Sequence, residues 1–342
     1  MPIAGLARTY LQLRRNARLG PDGIRKLQKR RLAHLVDFAR KRSTFYAERL
    51  ADFDGTIQSI PLLDKPALMS NLSEANTRGF SGQEVLDHCA AVERERDYSR
   101  RFCGCTAAFS SGTSGNRGVE LLSRAEEQVI AALYLARFPF PRGPLRVAFL
   151  LRVSSPGLSR SFLGNRLIYI DPMRPVEEIV AHLESESPTV LAAQPSVLRV
   201  LAHEYRAGRL RWAPRVIAGY AEVFSAADKA HMAEVFGCEV YEIYKCTEGA
   251  IAQSCRHGRL HVNEDLVIVE LEDAPGGPAL TAEPRERPAQ PGGLPPRAVV
   301  TNLTRRVLPV IRQLRLHTMV QVTFYRPMVS NLSMMHGTGS QK

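Results

Sequence analysis

Phe109 to Arg124 reads FSSGTSGNRGVELLSR, a polar stretch punctuated by glycine that runs into apolar residues. Glycines at 112, 115 and 118 open backbone conformations closed to other residues and let N–H groups approach a ligand closely. Ser110, Ser111, Thr113 and Ser114 add hydroxyl donors, and Arg117 adds a fixed positive charge. Together these make a nest for a phosphate or pyrophosphate chain, against which stands a plain polar turn. Two better-known loops are excluded. Walker A needs G-x-x-x-x-G-K-[ST], which is absent here. The hydrolase elbow needs G-x-S-x-G, and G-T-S-G is one residue short.

Other residues carry weaker signals. Cys246, Cys255, His257 and His261 are zinc-compatible types, but no C-x-x-C pair exists; a buried cysteine and surface histidines fit the loose spacing better. Cys103 and Cys105 read as two residues on the same face of a strand, a geometry that disfavours a disulfide between them. No His/Asn arrangement can be assigned to make a cysteine nucleophile. Arg305, Arg306 and Arg312 read as structural ion-pair residues sooner than phosphate ligands.

The elements that must position this loop are clearest from residue 145 onward. Strand patterns at 145–153, 166–171, 189–193, 215–219 and 239–244 alternate with helix patterns at 175–186, 195–208 and 225–237. Pro175 suits a first helical turn, Ser225 caps the last helix and Asp228 is placed for a reciprocal cap. Such alternation implies an α/β fold with a mostly parallel sheet covered on both faces. Strands are expected again at 266–273, 298–303 and 307–311. Between them, 274–297 is rich in Pro and Gly and reads as a long mobile loop. Residues 313–342 have weak periodicity and read as an atypical, poorly folded tail.

The chain has 342 residues, 44% of them hydrophobic, which suits a core-forming protein. No apolar run approaches the ~20 residues of a membrane span, and charges at Arg8, Arg14 and Arg15 interrupt any secretory-type segment. Six irregularly spaced cysteines argue for a reduced, cytoplasmic protein. The net charge of +12 is concentrated: residues 8–42 hold twelve Lys/Arg against Asp22 and Asp37. Ile24, Leu27, Leu32, Leu35, Val36 and Phe38 recur there at roughly helical spacing, so a helical lead-in with a solvated basic face is expected. No aromatic interleaving supports nucleic-acid binding.

SSGTSGNRG resembles the phosphate-binding signature of adenylate-forming enzymes, which read S-G-T-T/S-G before a basic residue. Downstream, YKCTEG (244–249) resembles their Y-G-x-T-E-G motif, and TNLTRRVLPVIR (301–312) the approach to their ribose-binding aspartate. Residues 62–80 and 255–273 are similar to the phenylacetate–CoA ligase and coenzyme F390 synthetase branch. The ordered matches span about residues 25–312. The resemblance implies the large N-terminal α/β domain of such an enzyme, with a helical basic lead-in over 1–100 and a nucleotide-binding core over 101–312. Ser110, Ser111, Gly112, Thr113, Ser114 and Gly115 would cradle the ATP phosphates, with Arg117 beside them. Tyr244 would lie near the adenine, Ala221 and Glu222 would fall in the adenine segment, Thr247 would touch the α-phosphate and Glu248 would hold Mg²⁺. One carboxylate with substrate oxygens suits that hard cation. A helix-start pair capping its own backbone is the competing account of Thr247 and Glu248.

The implied reaction joins a carboxylic acid, aromatic by the branch resemblance, to AMP from ATP, with coenzyme A as the following thiol. The sequence also departs from the pattern. Lys245 replaces a small residue of Y-G-x-T-E, Thr318 stands near the aspartate's place, and no carboxylate occurs from Gln313 to Lys342. The small C-terminal lid domain has no counterpart. Three expectations follow: a diverged nucleotide-binding domain, a truncated ligase with impaired catalysis, or a lid supplied by another polypeptide. A non-catalytic module that binds polyanions through its basic N-terminal segment is the alternative.

Overall fold

The apolar runs after residue 145 build one eight-stranded sheet in the computed structural model, which describes residues 3–110, 117–152, 160–162, 164–272, 280–281 and 297–315. Its helices are α1 Ile3–Asn16, α2 Pro21–Arg42, α3 Thr44–Arg49, α4 Lys65–Ser70, α5 Leu72–Ala75, α6 Gly82–Glu95, α7 Arg124–Arg137, α8 Val176–Glu186, α9 Pro195–Arg206 and α10 Ala226–Phe236. Its strands are β1 Thr106–Phe109, β2 Val119–Leu122, β3 Arg146–Leu150, β4 Arg160–Phe162, β5 Asn165–Ile170, β6 Val190–Ala193, β7 Val216–Tyr220 and β8 Glu239–Cys246. They continue with β9 Gly249–Ser254, β10 Leu260–Val262, β11 Val267–Glu272, β12 Leu280–Thr281, β13 Arg297–Asn302 and β14 Val310–Arg315.

The large sheet has the order β10-β9-β8-β7-β6-β3-β5-β4. From β8 to β5 the neighbours are parallel, and β9, β10 and β4 are antiparallel at the two sides. Strand alternation sorts the core into two layers. Ala148, Leu150, Leu191, Ala193 and Ile217 pack with Leu183 of α8, Leu198 and Leu201 of α9 and Met232 of α10. Val147, Val190, Ala192, Val216 and Ala218 form the opposite layer with Phe138 and Tyr241. Burial on both faces is why these strands read as nearly unbroken apolar runs. Fully burying each Leu or Val contributes about 1.5–3 kcal/mol.

Helix boundaries follow local chemistry. The Ser225 hydroxyl accepts from Asp228 N at 3.0 Å to start α10, and Gly237 ends it at φ 62°. The Asp228 carboxylate takes the Ser225 hydroxyl (2.7 Å) and Arg199 (3.0 Å), so the reciprocal cap is replaced by an ion pair. The full reciprocal cap lies instead at Ser123 and Glu126, where α7 begins. Pro175 precedes α8 as its cap residue.

A second, antiparallel sheet has the order β12-β11-β13-β14, and β1 and β2 form a separate hairpin. Strand β14 starts at Val310, later than the pattern at 307–311 suggests, because Val307 and Leu308 pack into the core beneath α2. Gln313 to Arg315 belong to this strand; residues 316–342, and most of 274–297, lie outside the described residues.

The basic N-terminal part of the lead-in is two helices, α1 and α2, separated by residues 17–20 ahead of Pro21. The apolar stripe of α2, with Leu27, Leu32, Leu35, Val36 and Ala39, is buried, and its basic face is exposed. Asp265, 2% exposed, fastens the lead-in: its carboxylate accepts from Asn16 (2.8 Å) and Arg137 (2.8 Å), and its carbonyl from Arg31. Two expectations are corrected. Cys103 (φ 45°) and Cys105 do not share a strand face; they sit in a tight turn closed by Phe102 and Cys105, with Cys103 exposed and Cys105 buried. Thr247 and Glu248 do not start a helix; they are the two-residue turn between β8 and β9, where Cys246 pairs with Gly249.

Candidate functional site

Two predicted segments lie side by side at the carboxyl end of the large sheet. Because β7 and β8 are parallel neighbours, with Tyr220 opposite Ile243, the residues following each strand emerge side by side. Ala221 and Glu222 follow β7, and Tyr244 to Glu248 close β8. The β1–β2 hairpin is held against the β8 segment through Glu120 and Lys245, and in sequence it carries the glycine-rich loop between its strands.

At the hairpin's open end, Ser110 N donates to Gly118 O (2.7 Å) and Gly118 N to Ser110 Oγ (2.9 Å). Ser110 therefore closes the loop's base. Ser111, Gly112, Thr113, Ser114 and Gly115 lie outside the described residues. Arg117 points toward α6: its guanidinium forms a two-pronged pair with Glu93 (2.6 and 2.8 Å) and stacks 4.6 Å from the Phe109 ring. The pair holds the Glu93 carboxyl below its usual range and raises Arg117, chiefly through their hydrogen bonds. Arg117 is thus committed to a protein carboxylate.

Around the Thr247–Glu248 turn lies a network of charges that sequence patterns do not reveal. The Glu248 carboxylate, 2% exposed, takes the Thr247 hydroxyl at 3.1 Å and stands 3.6 Å from the Lys65 ammonium. Lys65 reaches over the hairpin because Gly118 has no side chain: a Cβ there would come 3.2 Å from the Lys65 stem. Lys245 donates to both oxygens of Glu120 at 3.0 Å. Arg305, 3% exposed, donates to Glu120 at 3.0 Å and to the Thr247 carbonyl at 2.6 Å. The turn also needs Gly249, at φ 153°, where a Cβ would strike the Asn302 amide at 2.3 Å. That amide donates to the Glu248 carbonyl at 2.8 Å.

Glu222 is differently engaged. It accepts from Ser196 N (3.0 Å) and Ser196 Oγ (2.8 Å), closing the N-terminus of α9, whose own cap residue Gln194 makes no side-chain cap bond. Ala221 is exposed at φ 65°. Tyr244 is half-buried beside the cluster joining α1, α7 and β9. Nearby, burial pushes the Tyr220 phenol far up, and its hydroxyl donates to the Leu150 carbonyl.

The zinc-compatible residues do not converge. Cys246 precedes β9 and Cys255 follows it, at opposite ends, and no group of three His, Cys, Asp or Glu among the described residues could hold a metal. Burial pushes the Cys89 and Cys238 thiols up to about 12, the wrong direction for a nucleophile near neutral pH. Arg312 is paired with the buried Glu270, as its structural reading expected. Among the described residues no helix is long and apolar enough to cross a membrane.

For a magnesium ion the fit is that of a single protein ligand. Glu248 offers one buried carboxylate beside a hydroxyl, and Mg²⁺ is commonly held by one or two carboxylates with substrate phosphates completing its shell.

No family model matches the chain, and no curated protein matches it in sequence. Solved structures match it in fold. An open conformation of 2-hydroxyisobutyryl-CoA ligase in complex with 2-HIB-AMP and CoA gives a TM-score of 0.60 at 17% identity, covering 84% of this chain and 67% of that one. The same ligase in the postadenylation state with R3-HIB-AMP gives 0.63 at 16% identity, covering 88% and 64%. In the thioesterification state with 2-HIB-AMP and CoA it gives 0.61 at 17%, again covering 88% and 64%. This chain therefore spans about two thirds of that ligase's length. Over the matched part the chain shares the fold of that ligase, a mixed α/β architecture with a parallel-rich sheet flanked by helices, which is the fold class expected from the sequence.

Proposed function

We propose that the chain is the nucleotide-binding part of an ATP-dependent carboxylate-activating enzyme. The observation that carries this is the meeting, at one end of the sheet, of the hairpin base at Ser110 and Gly118 with the Thr247–Glu248 turn, bridged by Lys65. In the reaction a substrate carboxylate oxygen bonds to the α-phosphorus as the bond to pyrophosphate breaks, giving an acyl-adenylate. A thiol, with coenzyme A the leading candidate, then takes the acyl group and releases AMP. No protein nucleophile is required.

Ser110, Ser111, Gly112, Thr113, Ser114 and Gly115 would cradle the phosphates through backbone N–H groups and hydroxyls. Thr247 would donate to the α-phosphate, Tyr244 and Ala221 would border the adenine, and Lys65 would add a cation at the phosphates. Glu248 would hold Mg²⁺, whose chemistry is to neutralise charge on the departing pyrophosphate. The acid is proposed to be aromatic on the branch resemblance alone, and a lid from another polypeptide would raise the rate. Calorimetric titration with MgATP, beside Glu248→Gln, tests the reading: saturable binding that the variant weakens supports it, and no binding by the folded wild-type chain overturns it.

A second reading draws on the exposed Lys26, Lys29 and Arg30 of α2, which have no ion-pair partner among the described residues. It makes the chain a polyanion-binding module, whose affinity would fall steeply with salt and ignore Glu248.

A further inference from the structure

We propose that Glu120 is a positioning residue that sets the Thr247–Glu248 turn against the hairpin, so that the carboxylate of Glu248 faces a metal-bound triphosphate in register. This rests on the nucleotide-binding reading above. Glu120 lies on β2, two residues past Gly118, where the hairpin leaves the glycine-rich loop. Its carboxylate is 16% exposed and collects two cations at 3.0 Å, Lys245 on the strand entering the turn and Arg305, which also bonds the turn's backbone. Lys245 is the third residue before Glu248 on the same chain segment. Arg305 spends a second bond, 2.6 Å, on the Thr247 carbonyl and a third, 3.2 Å, on the Leu121 carbonyl. One carboxylate thus ties β2 to the turn through a side chain on each route, and the routes are independent in sequence.

The arrangement also accounts for the departure at Lys245. Where the resemblance expects a small residue, this chain has a lysine, and the hairpin supplies Glu120 to receive it. Lys245 keeps 35% of its side chain exposed, so the lysine is not needed to fill a core. Neither Glu120 nor Lys245 bonds Glu248 directly, so their effect passes through the turn's position.

The test uses Lys245→Met and Glu120→Gln in the full chain, titrated with MgATP and with ATP in the presence of EDTA, alongside thermal unfolding without ligand. Lys245→Met leaves the buried Arg305 with its carboxylate and so keeps the fold; Glu120→Gln removes that counter-charge and is the harsher variant. Each is expected to weaken MgATP binding about tenfold, the lower end of what loss of a residue supporting a metal ligand costs. Binding of magnesium-free ATP should stay within twofold, and the Lys245→Met melting temperature should match wild type. Lys245→Arg, which keeps the pair, should restore MgATP binding. Equal loss for both ligands would mean general loosening and overturn the proposal, as would wild-type MgATP affinity in Lys245→Met. If the folded wild-type chain binds no MgATP, the nucleotide-binding reading falls and takes this proposal with it; if wild type binds and Lys245→Met binds equally, only the proposal falls.

Discussion

Glu222 and Glu248 follow neighbouring parallel strands, yet their surroundings differ sharply. Glu222 sits half-buried against α9, and both its oxygens accept from Ser196. Glu248 is buried in a turn, faces the Lys65 ammonium and lies beside a hydroxyl. A carboxylate that satisfies a helix N-terminus has its lone pairs directed at fixed backbone and side-chain donors. One that faces a lysine side chain can exchange that partner for another cation, because the lysine stem can move and the backbone cannot. The same residue type at equivalent positions is therefore structural at the end of β7 and a candidate ligand at the end of β8.

The largest expected effect is at Glu248. Glu248→Gln should weaken MgATP binding about 100-fold, since it removes the one protein carboxylate offered to the metal; wild-type affinity in calorimetry would erase the distinction. Next comes Lys65→Met, which should cost about tenfold in MgATP affinity, the worth of one charged hydrogen bond. Tighter binding in that variant would instead make Lys65 a competitor of the metal for Glu248. The smallest is Glu222→Gln, which should lower stability by about 1 kcal/mol through the weakened cap while MgATP affinity stays at the wild-type value. Denaturant unfolding and calorimetry on the same sample separate the two, and a loss of affinity there would return Glu222 to the nucleotide site.

How much of this was legible beforehand varies by region. Between residues 145 and 246 most elements follow from local pattern, because β6 and β7 are short and apolar on both faces and β5, β6 and β7 each lead into a helix; the short β4 carries no such pattern. Ser225 and Gly237 mark α10 unaided. The Thr247–Glu248 turn was ambiguous because neither residue is a turn former, and the glycine that permits the turn is the next one, Gly249. Gly20–Pro21 is an ordinary break signal, but the basic residues on both sides of it blur α1 and α2 into one pattern. Lys65 and Glu120 were not legible as site residues at all, and Arg305 was legible only as a structural ion-pair residue. Their partners are distant in the chain, and only tertiary packing shows that Gly118 leaves room for the lysine stem. Arg117 stands beside the loop, where sequence suggests a phosphate ligand, and its pairing with Glu93 of α6 shows only in the packing.

The brevity of the β8–β9 turn limits how this protein can drift. Side chains on a strand alternate between faces, so a single codon inserted between Cys246 and Gly249 would shift the pairing of β9 by one position. Ile251 and Gln253 would exchange faces with Ala250 and Ala252, in a strand whose every residue is buried. Point substitutions at Thr247 or Glu248 change chemistry and leave the architecture standing. Length changes there do the reverse, so a survey of variants scored by folding alone should show Thr247 and Glu248 open to exchange of letters and closed to any gap.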